Sequence, residues 1–197
     1  RMAAGLGRLI QDDCSYPFMV RKDLMDEGLE ISDLKGMRYA LNSPSSSAAY
    51  IMDRLLRQAG LSTEDVVQVH LMTPARLDGF ATGAIDISLI AEPFATRFKE
   101  SGHAVVWKNS SAATPDGQNA VLSFGPSIVE ENREAGVKFL AGFLQGVRQY
   151  NHGKTERNLA IISRHTGLDE ETLRKVCWPC ISSSGEINID SVLDQQT

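Results

Sequence analysis

The chain has 197 residues, 42% of them hydrophobic and 23% charged, so it can bury a sizeable core as one domain or as two small ones. A formal charge of -5, with no basic run or aromatic-basic patch, argues against a nucleic-acid partner. The longest apolar runs fall far short of the roughly 20 residues a bilayer helix requires, and no signal peptide opens the sequence.

Met2-Ala3-Ala4-Gly5-Leu6 reads as a helix-like segment without a start signal, and Asp194-Gln195-Gln196-Thr197 stops in mid-pattern. Both ends therefore read as cut from a longer polypeptide. From 34 to 108 strands and helices alternate without a break. Residues 37–41 form a short strand, after which Ala48, Ala49, Ile51, Met52, Leu55, Leu56 and Ala59 recur at helical spacing, and Gly60 sits where a helix-ending glycine belongs. Val67, Val69 and Leu71 alternate with polar residues as in a strand buried mainly on one face. Thr73 is placed to cap a helix with Pro74 at its first position and Leu77, Phe80 and Ala81 as its apolar stripe, closed by Gly83. A strand at 84–90, a helix opened by Glu92-Pro93-Phe94 and ended by Gly102, and a strand at 103–108 complete the series. Connections this short favour parallel βαβ crossovers.

Beyond Lys108 the style changes. Residues 109–118 are polar and turn-rich, 119–124 is a further strand, and Asn132 caps a long helix with Val137, Leu140, Ala141, Leu144 and Val147 as its buried stripe. Residues 156–165 form another helix closed by Gly167, and Asp169 caps a short last one, with Glu170 and Glu171 at the positive end of its dipole. The contrast implies two structural units: 33–113 as one lobe, with 1–32 and 114–197 together making the other.

The most informative chemistry is the serine cluster Ser43-Pro44-Ser45-Ser46-Ser47, at the point where the first strand of the alternation gives way to its helix. Open α/β sheets hold small, often anionic ligands at such junctions. Asn42, Ser43, Ser45, Ser46 and Ser47 are the candidate ligand-binding residues, and a plain N-cap with its loop is the alternative. No lysine or arginine adjoins the cluster in sequence, which leaves a neutral polar ligand open. Glu92 fits two roles equally, a contact to a ligand amine or a first-turn acid for its helix. Thr73 joins the candidates, although a cap suits it better. Asp13, Ser15 and Tyr16 fall where a second lobe would meet the ligand.

Cys177-Trp178-Pro179-Cys180 has redox spacing but follows a helix and leads into a loop, whereas a thioredoxin-type site opens a helix. It reads as a structural or adventitious pair, with a disulfide between the two left open for an exported protein and Cys14 then left over. No metal site is expected, because His70, His103, His152 and His165 are scattered. No GxSxG, HExxH, GxGxxG or Walker A arrangement occurs, so neither an enzyme nor a cofactor is indicated.

Asp33-Leu34-Lys35-Gly36 before a strand, Gly60-Leu61, Leu77-Asp78-Gly79-Phe80-Ala81-Thr82-Gly83-Ala84-Ile85-Asp86 and Glu92-Pro93-Phe94 together resemble the middle lobe of ABC-importer substrate-binding proteins. Val20-Arg21-Lys22-Asp23-Leu24 and Gly185-Glu186-Ile187-Asn188-Ile189-Asp190 extend the likeness to the nitrate, sulfonate and taurine branch and to the binders of the thiamine pyrimidine precursor. The family begins with a strand and helix that this sequence lacks, and it ends in a further helix. The resemblance implies an α/β fold of the periplasmic binding protein type II, two lobes closing on a ligand about a hinge. It also implies permease transmembrane subunits as partners and a periplasmic or lipid-anchored extracytoplasmic location. Effector domains of LysR-type transcription regulators, which share a similar two-lobed fold, are the rival reading.

Overall fold

The computed structural model of the protein describes residues 1–11, 13–26 and 28–195. Its elements in chain order are β1 (Met2–Leu9), β2 (Pro17–Arg21), α1 (Lys22–Asp26), β3 (Arg38–Leu41), α2 (Ser47–Arg57), β4 (Val67–His70), α3 (Arg76–Ala81) and β5 (Ile87–Leu89). There follow α4 (Phe94–Ser101), β6 (Ala104–Asn109), β7 (Gly117–Ser123), α5 (Arg133–Tyr150), α6 (Glu156–Thr166), α7 (Glu170–Lys175) and α8 (Ile189–Asp194). Contacts divide the chain into two compact units, one of residues 9–115 with 176–178, the other of 1–8, 116–175 and 179–197.

The first unit is built on a five-stranded sheet of order β4-β3-β5-β2-β6. β3 runs parallel to both β4 and β5, as the short crossovers require, while β2 enters antiparallel between β5 and β6. Strand side chains alternate between faces, and both faces are covered. Phe18, Val20, Tyr39, Leu41, Ile87 and Leu89 meet Ile51, Met52 and Leu55 of α2 on one side. Met19 and Ala40 meet Phe80 of α3 and Ala95 and Phe98 of α4 on the other, with Phe80 and Phe98 packed edge to face at 6.2 Å. Each such fully buried large side chain contributes about 1.5 to 3 kcal/mol. Helix α4 ends at Gly102, whose φ of +75° is the left-handed conformation that a side chain disfavours.

Two elements here differ from the sequence reading. β4 lies at the sheet edge and is mostly exposed, because neither side of an edge strand is fully covered. Thr73 is not a cap. It begins a 3-10 turn, Thr73–Ala75, whose capping position is Met72, and α3 starts only at Arg76.

In the second unit β1 pairs with β7. The segment at 2–6 is thus a strand and not a helix, since long-range pairing overrides the helix propensity of its alanines. Gly5 donates its N–H to the Gly185 carbonyl at 3.0 Å, and a side chain at Gly5 would strike the carbonyl of Glu186. Gln118 is a buried hub: its amide nitrogen donates to Gly7 and Ala120 carbonyls at 2.9 and 2.7 Å, and its oxygen accepts the N–H of Asn188 at 3.0 Å. Helix α5 begins at its expected cap, Asn132, but of the expected stripe only Val147 is buried. Val137 is 62% exposed, since helical periodicity shows which face is apolar and not what covers it. No described helix is long and apolar enough to cross a membrane.

Candidate functional site

The chain leaves β3 for one flank of the sheet through α2 and leaves β5 for the other flank through α4. The carboxyl ends of β3 and β5, which are neighbours, therefore flank the topological switch point where open α/β sheets bind ligands. Asn42 follows β3 directly, and Ser88 and Leu89 end β5.

The serine cluster forms the start of α2 at that edge. Ser46 is its cap, accepting the Ala49 N–H at 3.4 Å and donating its own proton to the Ser43 carbonyl at 2.7 Å. The Ser43 hydroxyl lies 3.0 Å from that of Ser45 and accepts the Ser45 N–H at 3.3 Å. Ser43 and Ser46 thus shape the loop, while the N–H groups of Ser47 and Ala48 have no acceptor among the described residues and stand at the positive end of the helix. Asn42, Ser45 and Ser47 are exposed. Tyr16 reaches the same place. Burial pushes its hydroxyl pKa up, against a hydrogen bond from Ser47 and the charge of Arg76.

Arg76 is the residue that sequence spacing missed. It opens α3, 33 positions after Ser43, yet the residue is only 2% exposed and its guanidinium crosses the switch point. Nε donates to the Leu71 carbonyl at 2.9 Å, and Nη1 to the Ser88 hydroxyl at 2.9 Å and the Leu89 carbonyl at 3.0 Å. Nη2 donates to the Asn42 side-chain oxygen. No arginine adjoins the cluster in sequence, but the fold brings Arg76 to Asn42, the residue that precedes it. The readable signal was a cation at the i-4 position to Phe80, on the apolar side of a short helix.

Glu92 uses its carboxylate internally. Thr96 donates to it from its N–H at 3.0 Å and its hydroxyl at 2.8 Å, and the Cys177 N–H adds a third bond at 3.1 Å. It therefore stabilises the start of α4 and holds residues 176–178. Replacing Glu92 by Gln should cost about 1 to 2 kcal/mol in urea unfolding, because bonds to a charged acceptor become bonds to a neutral one. Thr73 lies partly exposed on its 3-10 turn after β4. Asp13 and Ser15 are buried, with Asp13 accepting the Ser15 N–H at 2.7 Å.

The disulfide joins Cys14 to Cys177, with Cα atoms 5.7 Å apart, and both residues lie in the five-stranded unit. The pairing within Cys177-Trp178-Pro179-Cys180 that the sequence left open is not the one formed. Cys14 is a partner and Cys180 stands outside the bond, because folding brings 14 and 177 together across 163 positions. Among the described residues no three His, Cys, Asp or Glu side chains converge to hold a metal.

A family model described as NMT1/THI5 like matches residues 6–152. The chain belongs to that family. Solved structures share the fold. A ligand-binding component of an ABC-type import system from Staphylococcus aureus, solved with zinc bound, has a TM-score of 0.75 at 13% identity, over 98% of this chain and 64% of that one. The periplasmic aliphatic sulphonate binding protein SsuA from Escherichia coli has a TM-score of 0.72 at 20% identity, over 98% and 65%. The desulfurization enzyme DSZB has 0.63 at 11% identity, over 99% and 70%. This NMT1/THI5-like chain thus spans just under two thirds of the two importer-type structures. No curated protein matches the sequence.

Proposed function

We propose that the protein is a solute receptor of an ABC importer. It captures a small polar or anionic ligand between two lobes and hands it to permease transmembrane subunits. The observation that carries this reading is the donor-rich mouth at the switch point. The unengaged N–H groups of Ser47 and Ala48, the Asn42 amide and the hydroxyls of Ser47 and Tyr16 face one edge of one sheet. Ser43, Ser45 and Ser46 hold the loop that presents them, Thr73 stands on the neighbouring turn, and Glu92 supports the adjoining helix. SsuA, which shares the fold, is a sulphonate-binding protein, and family membership favours receptor over sensor. The Cys14–Cys177 bond suits an oxidising compartment, hence a periplasmic or otherwise extracytoplasmic location. A receptor needs no catalytic group, and no reacting constellation of nucleophile and base is present at this mouth among the described residues.

Screening the native protein by thermal shift against taurine, alkanesulfonates, nitrate, bicarbonate and pyrimidines should reveal a compound that raises the melting temperature. At about 100 times its Kd a ligand adds about 2.7 kcal/mol, a shift of about 5 to 10 °C. The double variant Asn42→Ala, Ser47→Ala should lose that shift while melting within a few degrees of the native protein. A shift that survives both substitutions places the ligand elsewhere.

A further inference from the structure

We propose that Arg76 sets the charge preference of this site: a buried guanidinium bonded only to neutral acceptors selects a small oxyanion, such as a sulfonate, carboxylate or nitrate, at the mouth formed by Asn42, Ser47 and Tyr16. The inference rests on the receptor reading and names its ligand class.

Buried charges in proteins are normally paired with an opposite charge. Even more exposed arginines of the same unit have carboxylate partners: Arg21 and Arg38 share Asp86, Arg21 also pairs with Asp23, and Arg57 pairs with Asp53. Arg76 is more deeply buried than any of them, yet no carboxylate reaches it among the described residues. Its acceptors are two carbonyls, a hydroxyl and an amide oxygen. The ionisable groups that act on it are the phenols of Tyr16 and Tyr39, both made harder to ionise by burial. A site of this kind is completed by an anion brought from outside.

The guanidinium also fixes which atoms face that anion. It has donors only, so the Asn42 oxygen must point at Arg76 and the Asn42 NH2 group away from it, as two further donors. Ser88 is used up in the same way, accepting from Arg76 and donating to the Ala40 carbonyl at 2.7 Å. Of the five guanidinium N–H groups four are bonded, and the fifth, on Nη2 beside Asn42, has no acceptor among the described residues. Arg76 therefore acts as a positioning residue through Asn42 and as the source of the site's field. A lone helix start would accept neutral ligands about as readily.

The test compares each acid of the screening panel with its neutral amide or sulfonamide, by calorimetry on the native protein and on Arg76→Gln, Arg76→Lys and Asn42→Asp. The native protein should bind the charged member about 30-fold or more tighter, Arg76→Gln should bring the pair within about 3-fold, and Arg76→Lys should restore part of the preference. Asn42→Asp supplies the missing counter-charge. It should raise the ligand-free melting temperature by a few degrees and abolish anion binding, a combination that a merely structural arginine would not produce. A neutral compound bound equally well by native protein and Arg76→Gln leaves the receptor reading intact and removes the charge preference, as does a lower melting temperature for Asn42→Asp. Failure of every compound of either charge to bind removes the receptor reading and this inference with it.

Discussion

Replacing Cys14 or Cys177 by serine should lower the melting temperature of the oxidised protein by about 10 to 20 °C. The bond closes a loop of 163 positions, and chain-entropy arguments assign a loop of that length about 5 kcal/mol of stabilisation through the unfolded state. The bond also does something local. Residues 176–178 pack with the five-stranded unit while the residues on both sides of them belong to the other unit. The segment is held there by the disulfide and by the hydrogen bond from Cys177 N–H to Glu92. With the bond gone, the segment loses its covalent tie to Cys14, and the native state should fray first at 176–178. Cys180→Ser is the control. It should melt like the native protein under oxidising conditions, and native protein treated with reductant should melt like Cys14→Ser. If Cys180→Ser were the destabilised variant and Cys14→Ser the neutral one, the pairing would run within Cys177-Trp178-Pro179-Cys180 instead.

The contrast between Cys14 and the serine cluster explains how much of this molecule the sequence discloses. The run from β3 to β6 was legible because its signals are local. Apolar spacing marks α2, Gly60 and Gly102 adopt the left-handed conformation expected after a helix, and Ser46 caps α2 from within four residues. From those alone the switch-point edge and its serines could be placed. What escaped depends on partners distant in sequence. β2 is inserted antiparallel between β5 and β6, so Pro17–Arg21 packs in the same unit as 33–113, and no local pattern encodes that position. Met2 to Leu9 becomes a strand only because β7 and the carbonyls of Gly185 and Cys180 offer it hydrogen bonds. Arg76 reaches Asn42 only once α3 has folded across the ends of β3 and β5. Its sequence neighbours, Ala75 and Leu77, give no hint of the Asn42 amide it bonds.

The second large effect lies at the opposite end of the same strands. Asp86→Asn should destabilise the protein by about 3 kcal/mol at pH 7, because it removes the buried carboxylate of the ion network and takes from Arg38 its carboxylate partner, while Arg21 keeps Asp23. Asp86 is 7% exposed and accepts four bonds: the Arg38 N–H at 2.8 Å, Arg38 Nε at 2.9 Å and Nη2 at 2.6 Å, and Arg21 Nη1 at 2.9 Å. Burial alone would raise its pKa, but the Arg38 bonds and the charges of Arg38 and Arg21 outweigh that and hold the carboxyl below its ordinary range. A carboxylate whose pKa is depressed by folding adds stability that is fully present above the unfolded value, near 3.9, and is lost as pH falls through the folded value. The gap in unfolding free energy between native protein and Asp86→Asn should therefore stay constant from about pH 5 to 8 and shrink as the pH drops below about 4. Because Arg38 and Arg21 are partly exposed, salt should narrow the gap as well, and Arg38→Lys should reproduce part of it, since an ammonium keeps the charge but loses the two-nitrogen grip on the carboxylate. A gap that widens on acidification would mean that Asp86 is protonated in the folded protein and that Arg38 and Arg21 are held by other groups.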